Sequence, residues 1–269
     1  MTLTERLDRV VVDGPIVWAH RGCSSTAPEN TLAAFEQVVE HGIEAVELDV
    51  HRCATGQIVV AHDDTLLRTA GVDLAIRATP YDELLRHDVG GWFAPEFSEE
   101  RVPLLSDVLG ALGPDRFVDI EIKHYGNRFG RARPGDVESE TVRIVREHGM
   151  ERHVVVSSFD PFIVRRVGRI APEILRAVIY IDSDAMPGWL RAGGGRPVAR
   201  ATIMKPHWKQ VDARMTRRTH RRGRRVLAWT VDDAPTARAL VRSGADGIIT
   251  NRPVEIREAL SERAQGREE

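Results

Sequence analysis

Short apolar runs recur along the chain, and most are followed by a stretch with apolar residues at helical spacing. The first run, "PIVWA" at 15–19, ends at His20-Arg21-Gly22. After a polar loop, residues 31–42 predict a helix capped by Asn30 or Thr31 and stopped at Gly42. The stretch 44–63, "EAVELDVHRCATGQIVVAHD", holds two apolar runs joined by a turn at Thr55-Gly56. Residues 64–103 break the rhythm. They are polar, with scattered aromatics (Trp92, Phe93, Phe97), and predict an insertion with little regular structure. From 103 onward the alternation is regular, with strands centred near 118, 154, 177, 202, 227 and 247. The strand near 202 rests on "ARATIM" at 199–204 and is the weakest of the set.

With the runs near 16 and 46, this makes eight strands alternating with helices, the pattern of a (β/α)8 TIM barrel with a small insertion after strand 2. A doubly wound sheet is the alternative, but no GxGxxG turn follows the first strand. No linker divides the chain, so 1–269 is expected to be a single domain with an insertion at about 64–103.

Barrel chemistry sits at the C-terminal ends of the strands. There the sequence puts His20 and Arg21 (strand 1), Glu47 and Asp49 (strand 2), His62-Asp63 (the run after it), and Glu121 and Lys123 (strand 3). Residues two apart in a strand share a face, so Glu47 and Asp49 project together, with Val46, Leu48 and Val50 opposite. Glu47, Asp49 and Glu121 are hard oxygen ligands suited to one divalent cation, Mg²⁺ or Ca²⁺. Without such a partner, Glu47 and Asp49 read equally well as solvated acids of an edge strand. Arg21 and Lys123 can hold an anion, and Lys123 stands out in a chain whose lysines are Lys123, Lys205 and Lys209 alone. His20 and His62 suit acid–base work near neutral pH. Together these groups describe a site for displacement at phosphorus.

Composition narrows the field. The chain has 269 residues, 42% apolar and 29% charged, with a net charge of −2. That balance argues against a generic nucleic-acid binder. No apolar run approaches membrane-spanning length, and the N-terminus lacks the apolar segment of a signal peptide. Cys23 and Cys53 have no zinc spacing and read as reduced thiols, so a cytoplasmic location is expected.

The residues also resemble a known family. His20-Arg21-Gly22, Pro28-Glu29-Asn30-Thr31, Glu47-Leu48-Asp49 and His62-Asp63 are similar to the N-terminal half of the glycerophosphodiester phosphodiesterases. "DIEIK" at 119–123, "SSF" at 157–159, "LAWT" at 227–230 and "DGIITNRP" at 246–253 resemble that family's later strand ends. The resemblance implies a metal on Glu47, Asp49 and Glu121 and an acid–base pair of His20 and His62. It implies phosphate binding by Arg21 and Lys123, with Glu29 and Asn30 in a loop beside the site. The implied reaction is hydrolysis of a small glycerophosphodiester to glycerol 3-phosphate and an alcohol, with the substrate's own 2-hydroxyl attacking first. Two alternatives stay open: phospholipase D-like hydrolysis of lysophospholipids, and an inactive barrel that binds. Oligomeric state is not legible.

Residues 182–208 match the family poorly; Lys205 and His207 there could line the site, but a surface loop is the favoured reading. Trp229 reads either as a contact to the leaving group or as core. Trp92, Phe93 and Phe97 read as a small core within the insertion, or as a lid. The basic run at 214–225 reads as a solvated helix end.

Overall fold

The computed structural model describes residues 1–123, 136–184 and 186–265. Nine strands form its sheet: β1 (Ile16–His20), β2 (Ala45–Arg52), β3 (Ile58–Val60), β4 (Phe117–Ile122), β5 (Val154–Ser158), β6 (Leu175–Tyr180), β7 (Ile203–Pro206), β8 (Arg225–Ala228) and β9 (Gly247–Thr250). β1 pairs in parallel with both β2 and β9, which closes the eight parallel strands into the expected barrel. β3 stands outside the ring and pairs antiparallel with the far end of β2.

Alternation along each strand sorts the interior. Val46, Leu48 and Val50 of β2 and Val118, Ile120 and Ile122 of β4 face outward into a core shared with the surrounding helices. Each such side chain, once buried, contributes roughly 1.5–3 kcal/mol. The alternate positions face the axis. Trp18, Ala45, Phe117, Val155, Ala177, Ile203, Leu227 and Ile249 fill the lower barrel, and Leu3 and Leu7 pack beneath them. Leu3 and Leu7 belong to a short helix, Leu3–Asp8, started by a capping box between Thr2 and Glu5. The periodicity of the sequence had not pointed to this plug.

Most expected helices are present. Thr31, not Asn30, caps Leu32–Glu40, and Asp160 caps Pro161–Ile170. Asp233 caps Ala234–Arg242. The excursion at 64–103 holds short helical turns, as its composition suggested, but its core differs from the expected one. Leu66, Ile76, Leu84, Val89 and Val102 are buried there, with Cys53 and Val59. Trp92 is 45% exposed, and Phe93 and Phe97 form an edge-to-face row beside it. The aromatic row therefore lies outside the insertion's core. The basic run forms the end of helix Ala213–His220 and the turn into β8, at the barrel end opposite the site. No described helix is long and apolar enough to cross a membrane.

Candidate active site

The upper barrel turns from apolar to charged within one residue pair of each strand. On β2 the inward row runs Ala45, Glu47, Asp49; on β4 it runs Phe117, Asp119, Glu121. The register pairs Glu47 with Asp119 and Asp49 with Glu121, so four carboxylates face the axis in two layers. Glu47, Asp49 and Glu121 each offer an oxygen, and these oxygens lie within 4.8 Å of one another.

Buried charge of this density needs partners. In the lower layer Lys205 Nζ lies 2.6 Å from Asp119 Oδ2 and 3.7 Å from Glu47 Oε1. Ser157 Oγ donates to Asp119 Oδ1 at 2.7 Å and accepts from Lys205 at 3.1 Å. In the upper layer Lys123 Nζ lies 2.7 Å from Asp49 Oδ1 and 2.8 Å from Glu121 Oε1. Arg21 Nε and Asn30 Nδ2 approach Asp49 Oδ2 at 3.2 and 2.9 Å. Burial opposes the Asp49 charge, but Lys123 and Arg21 overcome it and hold the carboxyl well below its usual range. Glu47 goes the other way: burial and the Asp49 carboxylate raise it well above the usual range.

The loop after β1 is shaped to deliver these partners. Arg21 and Asn30 both adopt left-handed backbone, at φ 57° and 59°. Such conformations cost of order 1–3 kcal/mol in non-glycine residues and collect at functional sites. Asn30 N donates to the Arg21 carbonyl at 3.0 Å, which ties the two together. Gly22 has φ 82°, and a Cβ there would meet Ala34 Cβ at 2.7 Å. A side chain at this position would push the loop off the helix that anchors it.

The histidines arrive on separate elements. His20 ends β1. Its Nδ1 is 2.7 Å from Asn251 Oδ1, and the Asn251 amide donates to Asp232 Oδ2 at 2.7 Å. The acceptor side of Asn251 therefore faces His20, so Nδ1 carries the proton and Nε2 keeps its lone pair. Burial, reinforced by the Arg21 charge, pushes the His20 imidazolium down to about 4, so the ring is neutral near pH 7. Its Nε2 lies 3.8 Å from Glu47 Oε2. His62 is brought back by the β2–β3 hairpin, where Ala61 N donates to the Asp49 carbonyl at 3.0 Å. His62 Nδ1 lies 2.7 Å from Asp63 Oδ1.

A cavity of about 240 Å³ joins these groups. His20, Arg21, Glu47, His62, Glu121, Lys123 and Lys205 form its charged side. Phe159, Ile179, Trp229 and Ile249 form the apolar side. Trp229 stands edge-to-face with Phe159 and His207, and its indole N–H donates to the Lys205 carbonyl at 2.8 Å. Glu29 lies just outside, where its Oε1 accepts from Arg21 at 2.8 Å.

Four further participants were not among the expected site residues. For Lys205 the surface loop was the favoured reading and a place lining the site the alternative; the alternative holds, since β7 runs Ile203–Pro206 and the Lys205 side chain is 1% exposed. The polar residues Arg200 and Thr202 had drawn the strand frame too early. Asp119 stands two before Glu121, so the same alternation that singled out Glu121 marks it too. Asn251 lies in the matching stretch at 246–253, but its part, and that of Asp232, shows only through His20. His207 packs on Trp229 and does not line the cavity.

The three clustered carboxylates fit a hard divalent cation. All are buried, and Glu47 Oε2 has no hydrogen-bond partner. Both Asp49 oxygens already meet protein donors, but a carboxylate oxygen carries a second lone pair for an ion.

Comparison with known proteins adds an independent line. The profile of the glycerophosphoryl diester phosphodiesterase family matches residues 20–255. A glycerophosphodiester phosphodiesterase of Caldanaerobacter subterraneus subsp. tengcongensis is 31% identical over 88% of this chain and 94% of its own. The structure of an Oleispira antarctica phosphodiesterase in complex with the product sn-glycerol-3-phosphate superposes with a TM-score of 0.79 at 27% identity, covering 92% of this chain and 97% of that one. A glycerophosphodiester phosphodiesterase of Agrobacterium tumefaciens superposes at 0.73 and 28% identity, over 90% and 98%. The chain therefore belongs to the glycerophosphoryl diester phosphodiesterase family.

Proposed function

We propose that this chain hydrolyses glycerophosphodiesters to glycerol 3-phosphate and an alcohol, in a metal-assisted reaction with His20 and His62 as the acid–base pair. The observation that carries it is one cavity lined by two histidines, the cations Arg21, Lys123 and Lys205, and carboxylates of a buried cluster. The family's relatives, and the product held by the Oleispira antarctica enzyme, support the substrate class.

Glu47, Asp49 and Glu121 would hold Mg²⁺ or Ca²⁺. The bound ion would stabilise charge building on the phosphoryl oxygens. Arg21 and Lys123 would bind and orient the phosphate. His20, neutral and with Nε2 free, takes the proton from the substrate's 2-hydroxyl as that oxygen bonds to phosphorus. The bond from phosphorus to the alcohol oxygen breaks, and His62 gives that oxygen its proton. Water then opens the cyclic phosphate with the roles reversed. Asn251 and Asp63 hold the two imidazoles in the required tautomers. Glu29 and Asn30 steady Arg21 and Asp49.

The short apolar wall of Phe159, Ile179, Trp229 and Ile249 suits a compact alcohol such as choline or ethanolamine. The whole chain is taken as one catalytic domain. Both cysteines are free, in keeping with the cytoplasm.

The test is release of glycerol 3-phosphate from glycerophosphocholine. Excess EDTA should abolish it and added Mg²⁺ or Ca²⁺ restore it. His20→Ala should cost about 10²–10⁴-fold in kcat. Full activity of the metal-stripped protein, or a loss below tenfold in the folded variant, would sink the corresponding assignment.

A further inference from the structure

Arg68 lies in the short helix Leu67–Ala70 at the start of the excursion, outside the cavity just described. Its guanidinium nonetheless joins two arms of the site. Nε donates to Asp63 Oδ2 at 2.7 Å. Nη2 donates to Glu29 Oε1 at 2.6 Å, and Nη1 to Glu29 Oε2 at 3.2 Å. One step further on each side stands a residue of the proposed chemistry. Asp63 Oδ1 meets His62 Nδ1 at 2.7 Å, and Glu29 Oε1 accepts from Arg21 at 2.8 Å. The guanidinium carbon also lies 5.6 Å from the centroid of the Trp92 ring.

Asp63 and Glu29 are like charges on separate loops, so a cation between them is needed to hold them together. A guanidinium suits this place because its planar fork reaches two carboxylates at fixed angles, which an ammonium cannot do. Exposed ion pairs contribute little to stability. Arg68, with its side chain 43% exposed, is thus poorly placed to serve the fold and well placed to serve geometry.

We propose that Arg68 is a positioning residue that sets His62 and Arg21 relative to each other through Asp63 and Glu29. This rests on the roles proposed above for His62 as the acid and Arg21 as a phosphate binder. Loosening Asp63 lets the His62 ring turn away from the departing oxygen. Loosening Glu29 lets Arg21 drift from the phosphate. The first defect harms proton delivery, and the second harms binding.

Two substrates separate these effects. Glycerophosphocholine releases an alkoxide that needs a proton. A glycerophospho-p-nitrophenyl ester releases p-nitrophenolate, which departs as the anion. In a single turnover, Arg68→Met should slow release of choline about 10- to 100-fold, a share of the 10²–10⁴ that a general acid contributes. Single-turnover release of p-nitrophenolate should slow less than about threefold, because little acid help is needed in that step; opening of the cyclic phosphate is common to both esters and is left out of this reading. KM should rise on both, and the urea midpoint should hold. His62→Ala is assayed alongside. Equal losses in single-turnover release from both esters would overturn the proposal, and so would a wild-type release of choline by Arg68→Met beside a disabled His62→Ala. A His62→Ala variant still active on the choline ester would overturn the acid assignment, and the role of Arg68 with it.

Discussion

The two sides of the barrel mouth solve different problems. The side built by β1, β2 and β4 carries His20, Arg21, Glu47, Asp49, Glu121 and Lys123, nearly every group paired with an opposite charge. The facing wall carries Phe159, Ile179, Trp229 and Ile249, held by ring contacts and one indole hydrogen bond. Charges buried at this density persist only in a network, so a change to one member is felt by all. The apolar wall acts through shape, and its members can change one at a time. The charged side is therefore suited to fixed chemistry, and the apolar side to choice of leaving group.

Lys205 is the exception, since it comes from the wall side yet supplies the cation under Glu47 and Asp119. Its loss should show the largest effect. Lys205→Met would leave Asp119 buried without a cation, and breaking such a pair costs about 3–5 kcal/mol. The urea midpoint should fall accordingly, and adding Asp119→Asn should recover part of it. Wild-type stability of Lys205→Met would show that the two sides are not joined through this residue.

An intermediate effect should appear with pH. Burial pushes His20, and His51 buried on β2 with Nε2 3.3 Å from the His62 carbonyl, down to about 4 from an ordinary value of 6.5. The folded state therefore binds fewer protons than the unfolded chain between those values. The stability contributed by the neutral rings is complete above about pH 6.5 and is lost as pH falls toward 4, over a range of a few kcal/mol. Glu47, raised by burial and by Asp49, opposes this over the same range, so the test is relative: from pH 7 through 5.5 to 4.5 the urea midpoint of the wild type should fall relative to that of His51→Gln. An unchanged difference would remove His51 from the account.

The smallest effect should fall on the wall. Trp229→Leu keeps the wall apolar but removes an aromatic face. It should raise KM for the choline ester by about 2- to 30-fold, the range of a cation–π contact. KM for a diester of an uncharged alcohol, such as glycerophosphoglycerol, should move less. Equal shifts for both would reduce Trp229 to a space filler.

Much of the charged side was legible because its signals are local. Alternation placed Glu47 and Asp49 on one face of β2, and Glu121 and Lys123 on one face of β4, whatever surrounds them. The turn at Thr55-Gly56 announced the hairpin that returns His62. Capping residues and the runs at helical spacing gave most of the helices. The wall side was harder to read, because β7 is short and flanked by polar residues, and its frame set the fate of Lys205.

The sequence by itself determined which side each strand residue faces and where charge gathers along the chain. That information is local, carried by the two-residue period of strands and the 3.6-residue period of helices. Only the tertiary structure decided who meets whom. His20 meets Asn251 across 231 positions, Lys205 reaches Asp119 and Glu47, and Arg68 bridges Asp63 to Glu29. Those meetings depend on barrel closure and on the path of an excursion. They fix tautomers, orient cations and set the pKa of His20, and no local pattern encodes them.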